Sequence, residues 1–146
     1  MEAADMRDFP RMTRKIPPAL RVLVVDDESL IRWSVAETLA ERGCEVVEAG
    51  DAAGARSAIR DPQGRFDVVL LDLRLPDSDD LALLESIRYL SPDAQVILMT
   101  AFGRPEALRG ALQLGAYGVI NKPFEMHAMA DLVGEAAAAG RAAKRN

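Results

Sequence analysis

The stretch LRVLVVDDES, residues 20–29, decides the fold because a continuous apolar run ends there in two carboxylates. Residues 20–25 are rich in β-branched side chains, which is typical of a strand buried on both faces of a sheet. Similar but weaker or shorter runs occur at 44–49, 66–71, 95–99 and 116–121. The sequence therefore predicts five strands, spread along the chain from Leu20 to Asn121.

Helical patterns fill the intervals between these strands. In the first interval Ile31, Val35 and Leu39 are spaced four residues apart, and Gly43 follows as a C-cap. Trp33 and the methionines of the last helix are expected to pack in the core. The other helices are predicted over 51–60, 81–87, 105–112 and 126–133. Strand and helix alternate five times, which predicts a doubly wound α/β fold with a parallel sheet and right-handed crossovers.

The length of 146 residues fits one domain. Residues 1–19 mix charges with prolines and are predicted to be a disordered leader, residues 20–135 the folded domain, and residues 136–146 the end of the last helix or a tail. A single cysteine, Cys44, excludes an internal disulfide. The chain has no secretory signal and no apolar run long enough to cross a bilayer, so we expect a cytoplasmic protein without membrane contact.

The net charge of −5 is unevenly distributed. Residues 20–133 contain 19 acidic and 11 basic side chains, a balance of −8, whereas both ends are slightly basic. An acidic folded unit repels polyphosphates. Direct binding of nucleic acid by this chain is therefore not expected.

Polar side chains follow four of the predicted strands. Asp26 and Asp27 follow the first strand, Asp72 the third, Thr100 the fourth and Lys122 the fifth. Ligands of open parallel sheets bind beyond the carboxyl ends of the strands, and carboxylate oxygens suit Mg²⁺. A carboxylate beside Mg²⁺, a lysine and a hydroxyl is arranged to take up a phosphoryl group. Taken singly, the first two aspartates could equally cap a helix, Thr100 could cap a strand end, and Lys122 could be a surface charge.

Four blocks of sequence, VLVVDDES (22–29), DVVLLDLRLPD (67–77), VILMTAF (96–102) and GAYGVINKPF (115–124), resemble the motifs of response-regulator receiver domains in order and spacing. The resemblance covers about residues 20–133. The run DDESLIRW further resembles receivers of the NtrC type, which regulate transcription with σ54. The family resemblance implies a five-stranded parallel sheet in the flavodoxin-like order 2-1-3-4-5 with five helices.

The same resemblance implies the roles of the strand-end residues. Asp72 would be the phosphoacceptor, forming a 4-aspartylphosphate and contributing to a Mg²⁺ site. Asp27 would ligate Mg²⁺ directly, Asp26 mainly through water, and Arg74 through its backbone carbonyl.

Two further residues complete the implied site. Thr100 would hydrogen-bond the phosphoryl group, and Lys122 would form an ion pair with that group or with Asp72. The peptide bond between Lys122 and Pro123 would be cis.

The resemblance implies that the protein is the phosphoacceptor of a two-component system. It would receive its phosphoryl group from a sensor histidine kinase or from small phosphodonors. It would catalyse its own phosphorylation and dephosphorylation as a signalling switch, not as a metabolic enzyme. Its output face would be the fourth helix, fifth strand and fifth helix, which would also be the face of any homodimer. Whether it acts alone or as part of a longer regulator stays open at this point.

Two positions depart from the family pattern. Val119 stands three residues before Lys122, where the family usually has an aromatic residue, and Tyr117 is expected to share its face of the strand. Asp80 stands where glycine is usual, and a local adjustment without loss of fold is expected there.

Two other functions compete with a phosphorylated switch. The first is a degenerate receiver that acts only as an interaction or dimerisation module. Val119 keeps this function open, and it is disfavoured by the intact set of Asp26, Asp27, Asp72, Thr100 and Lys122. The second is a phosphatase of the haloacid-dehalogenase type, which needs an aspartate two residues after its nucleophile. The residue at that position is Arg74, so this class is set aside.

Overall fold

A parallel sheet forms the centre of the computed structural model, which describes residues 19–78, 81–101 and 105–145. Its strands are β1 (Arg21–Val25), β2 (Glu45–Ala49), β3 (Val68–Asp72), β4 (Gln95–Thr100) and β5 (Gly118–Asn121). The helices in this part of the chain are α1 (Ser29–Glu41), α2 (Ala52–Arg60), α3 (Ala82–Leu90), α4 (Pro105–Gln113) and α5 (Met126–Arg145). The strand order is β2-β1-β3-β4-β5, and each neighbouring pair is parallel, so the predicted flavodoxin-like sheet is confirmed.

The sheet has a separate hydrophobic core on each face because successive strand residues point to opposite sides. Val22 and Val24 of β1 lie in the core covered by α1 and α5. Leu23 and Val25 lie in the opposite core, which is covered by α2, α3 and α4. Burial on both faces explains the nearly continuous apolar runs that identified the central strands.

Two glycines end helices as their positions in the sequence predict. Gly43 follows α1 with φ 91°, and Gly115 follows α4 with φ 97°. Both values lie in the left-handed region, which glycine enters without the steric cost that a Cβ imposes. Pro105 is the first residue of α4, as the sequence also predicts.

The structure corrects the expectation for Trp33. Its side chain is 56% exposed, whereas Val35, Ala36 and Leu39 form the buried face of α1. At 100° per residue, Trp33 lies about 200° around the helix from Val35, on the outer face. Met129 is fully buried, as expected.

The last helix, α5, includes residues 136–145 of the segment that was predicted to be a helix end or a tail. It runs without a break to Arg145, and Ala136 and Ala137 are buried against the sheet. Their small apolar side chains continue the inward-facing stripe, so at least these two residues belong to the packed unit. The predicted leader up to Pro18, and the position of Asp80, lie outside the described residues.

Candidate functional site

The carboxyl ends of β1, β3, β4 and β5 bring the predicted residues to one edge of the sheet. Asp72 is the last residue of β3 and pairs in register with Met99, and Thr100 ends β4 opposite Asn121. The backbone N–H of Lys122 donates to the Thr100 carbonyl at 2.8 Å. The register of the sheet therefore places these residues at one edge, although they are far apart in sequence.

Three carboxylates form a cluster at this edge. One oxygen from each of Asp26, Asp27 and Asp72 lies within 4.8 Å of the others. Asp26 is fully buried, Asp72 and Thr100 are nearly so, and Asp27 is exposed. Like charges at this separation repel strongly when two of them are removed from water, so the cluster requires compensating positive charge.

Backbone N–H groups occupy one oxygen of each of two carboxylates. Asp26 Oδ1 accepts a hydrogen bond from the Glu28 backbone N–H at 2.9 Å, and Asp72 Oδ1 accepts one from the Arg74 backbone N–H at 2.9 Å. The buried Oδ2 of Asp26 lies in an ion pair, 2.7 Å from the Nζ of Lys122. Three carboxylates beside a single ammonium retain excess negative charge, which fits a hard divalent cation such as Mg²⁺.

Lys122 provides a positive charge inside the cluster. Its Nζ lies 2.7 Å from Asp26 Oδ2, 2.9 Å from Glu28 Oε1 and 3.1 Å from Asp72 Oδ2. Burial lowers the pKa of this ammonium, but the three carboxylates outweigh that effect and raise its pKa above the usual value. Lys122 is therefore protonated at neutral pH, and the predicted cis peptide bond to Pro123 is present.

The pKa of the Asp72 carboxyl group is also raised, but for a different reason. Burial raises its pKa above the ordinary value, and the nearby charge of Asp26 adds to that rise. The hydrogen bonds from Arg74 and Lys122 oppose the rise without cancelling it. A carboxylate held in an environment that solvates it poorly retains its nucleophilicity.

An open cleft of about 360 Å³ leads to the cluster from solvent, and it is lined by Asp27, Glu28, Asp72, Arg74, Ala101 and Lys122. The backbone N–H of Arg74 donates to Asp72 Oδ1, so the residue whose carbonyl was predicted to face a metal lies beside this carboxylate. Thr100 is buried at the end of β4 and does not line the cleft. The structure thus brings together the carboxylates, the lysine and the Arg74 peptide, and places Thr100 at the same edge.

The capping interpretation of the two adjacent aspartates does not agree with the structure. The N-cap residue of α1 is Glu28, and no side chain makes a capping hydrogen bond there. Asp26 binds the backbone N–H of Glu28, outside the first helical turn. The backbone carbonyl of Asp26 accepts a hydrogen bond from Arg32 Nη1 at 2.7 Å. The Nε of Arg32 pairs with Glu48 at 3.1 Å.

Two residues near the site were not identified from sequence. Glu28 was not singled out, although it provides one of the three partners of Lys122. Asp77 was not singled out either, and its carboxylate accepts hydrogen bonds from the backbone N–H groups of Ala52 and Ala53 at 2.7 and 3.0 Å. These bonds lower the pKa of Asp77 and anchor the loop after β3 to the start of α2.

Val119 lies in β5, partly buried against the core under α2, α3 and α4. Tyr117 precedes the strand by one residue and is 37% exposed. Strand alternation does not fix the face of a residue outside the strand, so a shared face for the two residues stays a prediction.

Comparison with known proteins gives a consistent result. Residues 22–134 match the family described as response regulator receiver domain. The chain is 40% identical over 114 residues to the DNA-binding transcriptional regulator NtrC of Salmonella typhimurium, with 77% of this chain and 24% of that protein aligned. It is 32% identical over 107 residues to the chemotaxis protein CheY of Bacillus subtilis, with 73% of this chain and 88% of that protein aligned.

Solved structures support the same fold. A CheY-like receiver domain protein from Methanospirillum hungatei JF-1 superposes with a TM-score of 0.80 at 28% identity, covering 84% of this chain and 97% of that one. The receiver domain of NtrX from Brucella abortus gives a TM-score of 0.69 at 41% identity, covering 80% and 96%. The chain spans about a quarter of the length of the NtrC relatives that it matches. In the described part of the chain, no helix is long and apolar enough to span a bilayer.

Proposed function

The chain belongs to the family of response regulator receiver domains, and we propose that it accepts a phosphoryl group on Asp72 and relays that event through its surface. The observation that carries this proposal is the environment of Asp72. Its carboxylate is 6% exposed, lies at the end of β3, faces the ammonium of Lys122 at 3.1 Å and shares a cleft with Asp27. A purely structural aspartate has no need of two further carboxylates beside it.

The residues proposed to hold Mg²⁺ are the three clustered carboxylates and one peptide. Asp27 and Asp72 would bind the ion directly, Asp26 mainly through water, and Arg74 through its backbone carbonyl. When bound, Mg²⁺ would neutralise charge on the phosphoryl oxygens and among the carboxylates. The three carboxylate oxygens that lie within 4.8 Å of one another support this assignment.

In the proposed step, an ionised carboxylate oxygen of Asp72 attacks the phosphorus atom of a phosphohistidine on the sensor kinase. A new O–P bond forms, the P–N bond breaks, and its electron pair stays on the imidazole nitrogen, so that the donor leaves as neutral imidazole when its other ring nitrogen carries a proton. Lys122 pairs with a phosphoryl oxygen, and the Thr100 hydroxyl donates to another. With acetyl phosphate the leaving group is acetate, and water later hydrolyses the acyl phosphate.

We assign the output to the face formed by α4, β5 and α5, which is also the proposed face of a homodimer. The acidic folded unit argues against direct contact with nucleic acid, and we place the protein in the cytoplasm. The second candidate function is a degenerate module that acts without phosphorylation. The observation that favours it is Val119, which leaves β5 without the usual aromatic switch residue.

Incubation with acetyl phosphate and Mg²⁺, followed by intact-mass measurement, separates the two functions. The wild type is expected to gain the mass of one phosphoryl group, and Asp72→Asn is expected to gain none. Asp93→Asn serves as the matched control, since Asp93 is an exposed aspartate just before the amino end of β4. An unmodified wild type would favour the degenerate module, and a modified Asp72→Asn variant would refute the assignment of the acceptor.

A further inference from the structure

Lys122 is bound by one more carboxylate than the proposed phosphorylation site requires. The three N–H donors of its ammonium face Asp26, Glu28 and Asp72, at 2.7, 2.9 and 3.1 Å. The lysine side chain is 9% exposed, so little of the ammonium is left to solvent. A phosphoryl oxygen that binds Lys122 must therefore replace one of these partners.

The three partners differ in how easily they are replaced. Asp26 is fully buried, so release from the lysine would leave its carboxylate poorly solvated. Asp72 carries the phosphoryl group itself and therefore stays beside the lysine in either state. The side chain of Glu28 is 58% exposed, and water solvates its carboxylate as soon as it leaves. Its backbone is held through the bond from its N–H to Asp26, so only the side chain has to move.

We infer that Glu28 is a positioning residue that holds Lys122 in the unphosphorylated protein and competes with the phosphoryl group for its ammonium. This inference rests on the proposed phosphorylation of Asp72. In the unmodified state Glu28 provides the negative charge that a phosphoryl oxygen later supplies. Its contact with the lysine therefore lowers the affinity of the site for a phosphoryl group.

The competition is measured by titrating the protein with beryllofluoride, a phosphoryl mimic, at saturating Mg²⁺ and following amide chemical shifts. Loss of a partly exposed ion pair corresponds to up to about a fivefold change in an equilibrium constant. Glu28→Gln is therefore expected to bind beryllofluoride about three- to fivefold more tightly than the wild type. Glu28→Asp keeps the charge but shortens the side chain, and its affinity should lie between those two.

Glu45→Gln is the matched control. The Glu45 side chain is 60% exposed and pairs with Arg21 at 3.3 Å, but it lies at the amino end of β2, at the opposite edge of the sheet. The affinity of Glu45→Gln for beryllofluoride should stay within twofold of that of the wild type. Thermal melts of all three variants verify that they fold, and a Mg²⁺ titration without beryllofluoride shows whether the metal site is altered.

Three outcomes would overturn the inference. In the first, Glu28→Gln binds beryllofluoride no more tightly than the wild type does. In the second, Glu28→Asp equals the wild type while Glu28→Gln binds more tightly, which would attribute the effect to charge and not to the contact. In the third, Glu28→Gln loses Mg²⁺ affinity, which would make Glu28 a metal ligand. A wild type that binds no beryllofluoride would instead refute the proposed function.

Discussion

Replacing the proposed acceptor should make the metal-free protein more stable. In Asp72→Asn the ion pair with Lys122 at 3.1 Å is lost, together with repulsion from two carboxylates within 4.8 Å. With an effective dielectric constant of about 20, the lost attraction is about 5 kcal/mol and the two repulsions sum to about 7 kcal/mol. Screening of the exposed Asp27 reduces its repulsion, but the neutral amide also avoids the burial cost of the Asp72 charge, which is the largest cause of the raised pKa of Asp72. We therefore expect a net gain of about 1–2 kcal/mol.

The assay is thermal unfolding followed by circular dichroism in the presence of a chelator. A gain of 1–2 kcal/mol corresponds to a rise in Tm of about 4–8 °C for a domain of this size. The difference in Tm between Asp72→Asn and the wild type should narrow as pH falls. Because the pKa of Asp72 is raised in the folded state, its ionised form costs stability above that pKa, and this cost disappears as the carboxyl group is protonated on acidification.

With Mg²⁺ present, the wild type should become more stable than Asp72→Asn. A ligand that binds only the native state stabilises it by mass action, and the wild type retains all three carboxylates while Asp72→Asn does not. The reasoning would be refuted if Asp72→Asn were less stable than the wild type in the chelator. An equal difference in Tm between the two proteins at every pH, or with and without Mg²⁺, would also refute the reasoning.

Four further predictions concern single positions. Asp27→Ala should weaken Mg²⁺ binding at least about tenfold in a calorimetric titration, because water replaces a carboxylate without its charge. Gly115→Ala should lower the free energy of unfolding by about 1–2 kcal/mol in urea, because φ is 97° there, and Gly118→Ala, whose added Cβ meets no atom within 4 Å, should cost less. Asp77→Asn should accelerate amide hydrogen exchange in the first turn of α2. The pKa of Asp77 is lowered in the folded state, so its ionised carboxylate stabilises the fold at pH values above that pKa. In the wild type, faster exchange in this turn should therefore appear only as pH falls through the lowered pKa. Val119→Tyr should enlarge the chemical-shift response of residues 105–133 to beryllofluoride, because a larger side chain couples more strongly to the site; an unchanged response would show that position 119 does not limit the switch.

The fold was predictable because its main signals are local. The apolar runs that precede Asp26, Asp72 and Thr100 mark buried parallel strands, and the glycines after α1 and α4 mark helix ends. In a parallel sheet all carboxyl ends lie at one edge, so side chains at the ends of neighbouring strands are expected near each other. The positions of the carboxylates and of Lys122 follow from this rule and the spacing of the motifs.

The remaining features depend on tertiary contacts that leave no local pattern. Asp77 lies 25 residues from the N–H group that it binds, and only the packing of the loop after β3 against α2 brings them together. Glu28 binds a lysine 94 residues away, although its own sequence context predicts an exposed residue at a helix start. Trp33 is a different case, because its hydrophobicity suggested the core although the local helix phase set by Val35 and Leu39 already places it on the outer face.

In the proposed function Asp72, and no other group, carries the phosphoryl group. Borohydride reduces an aspartyl phosphate to homoserine, so treatment of the acetyl phosphate-modified protein with borohydride, followed by peptide mass spectrometry, locates the modified residue. Homoserine is expected at position 72 alone. Homoserine at another carboxylate, or a phosphoryl group on His127 with position 72 unchanged, would contradict that expectation.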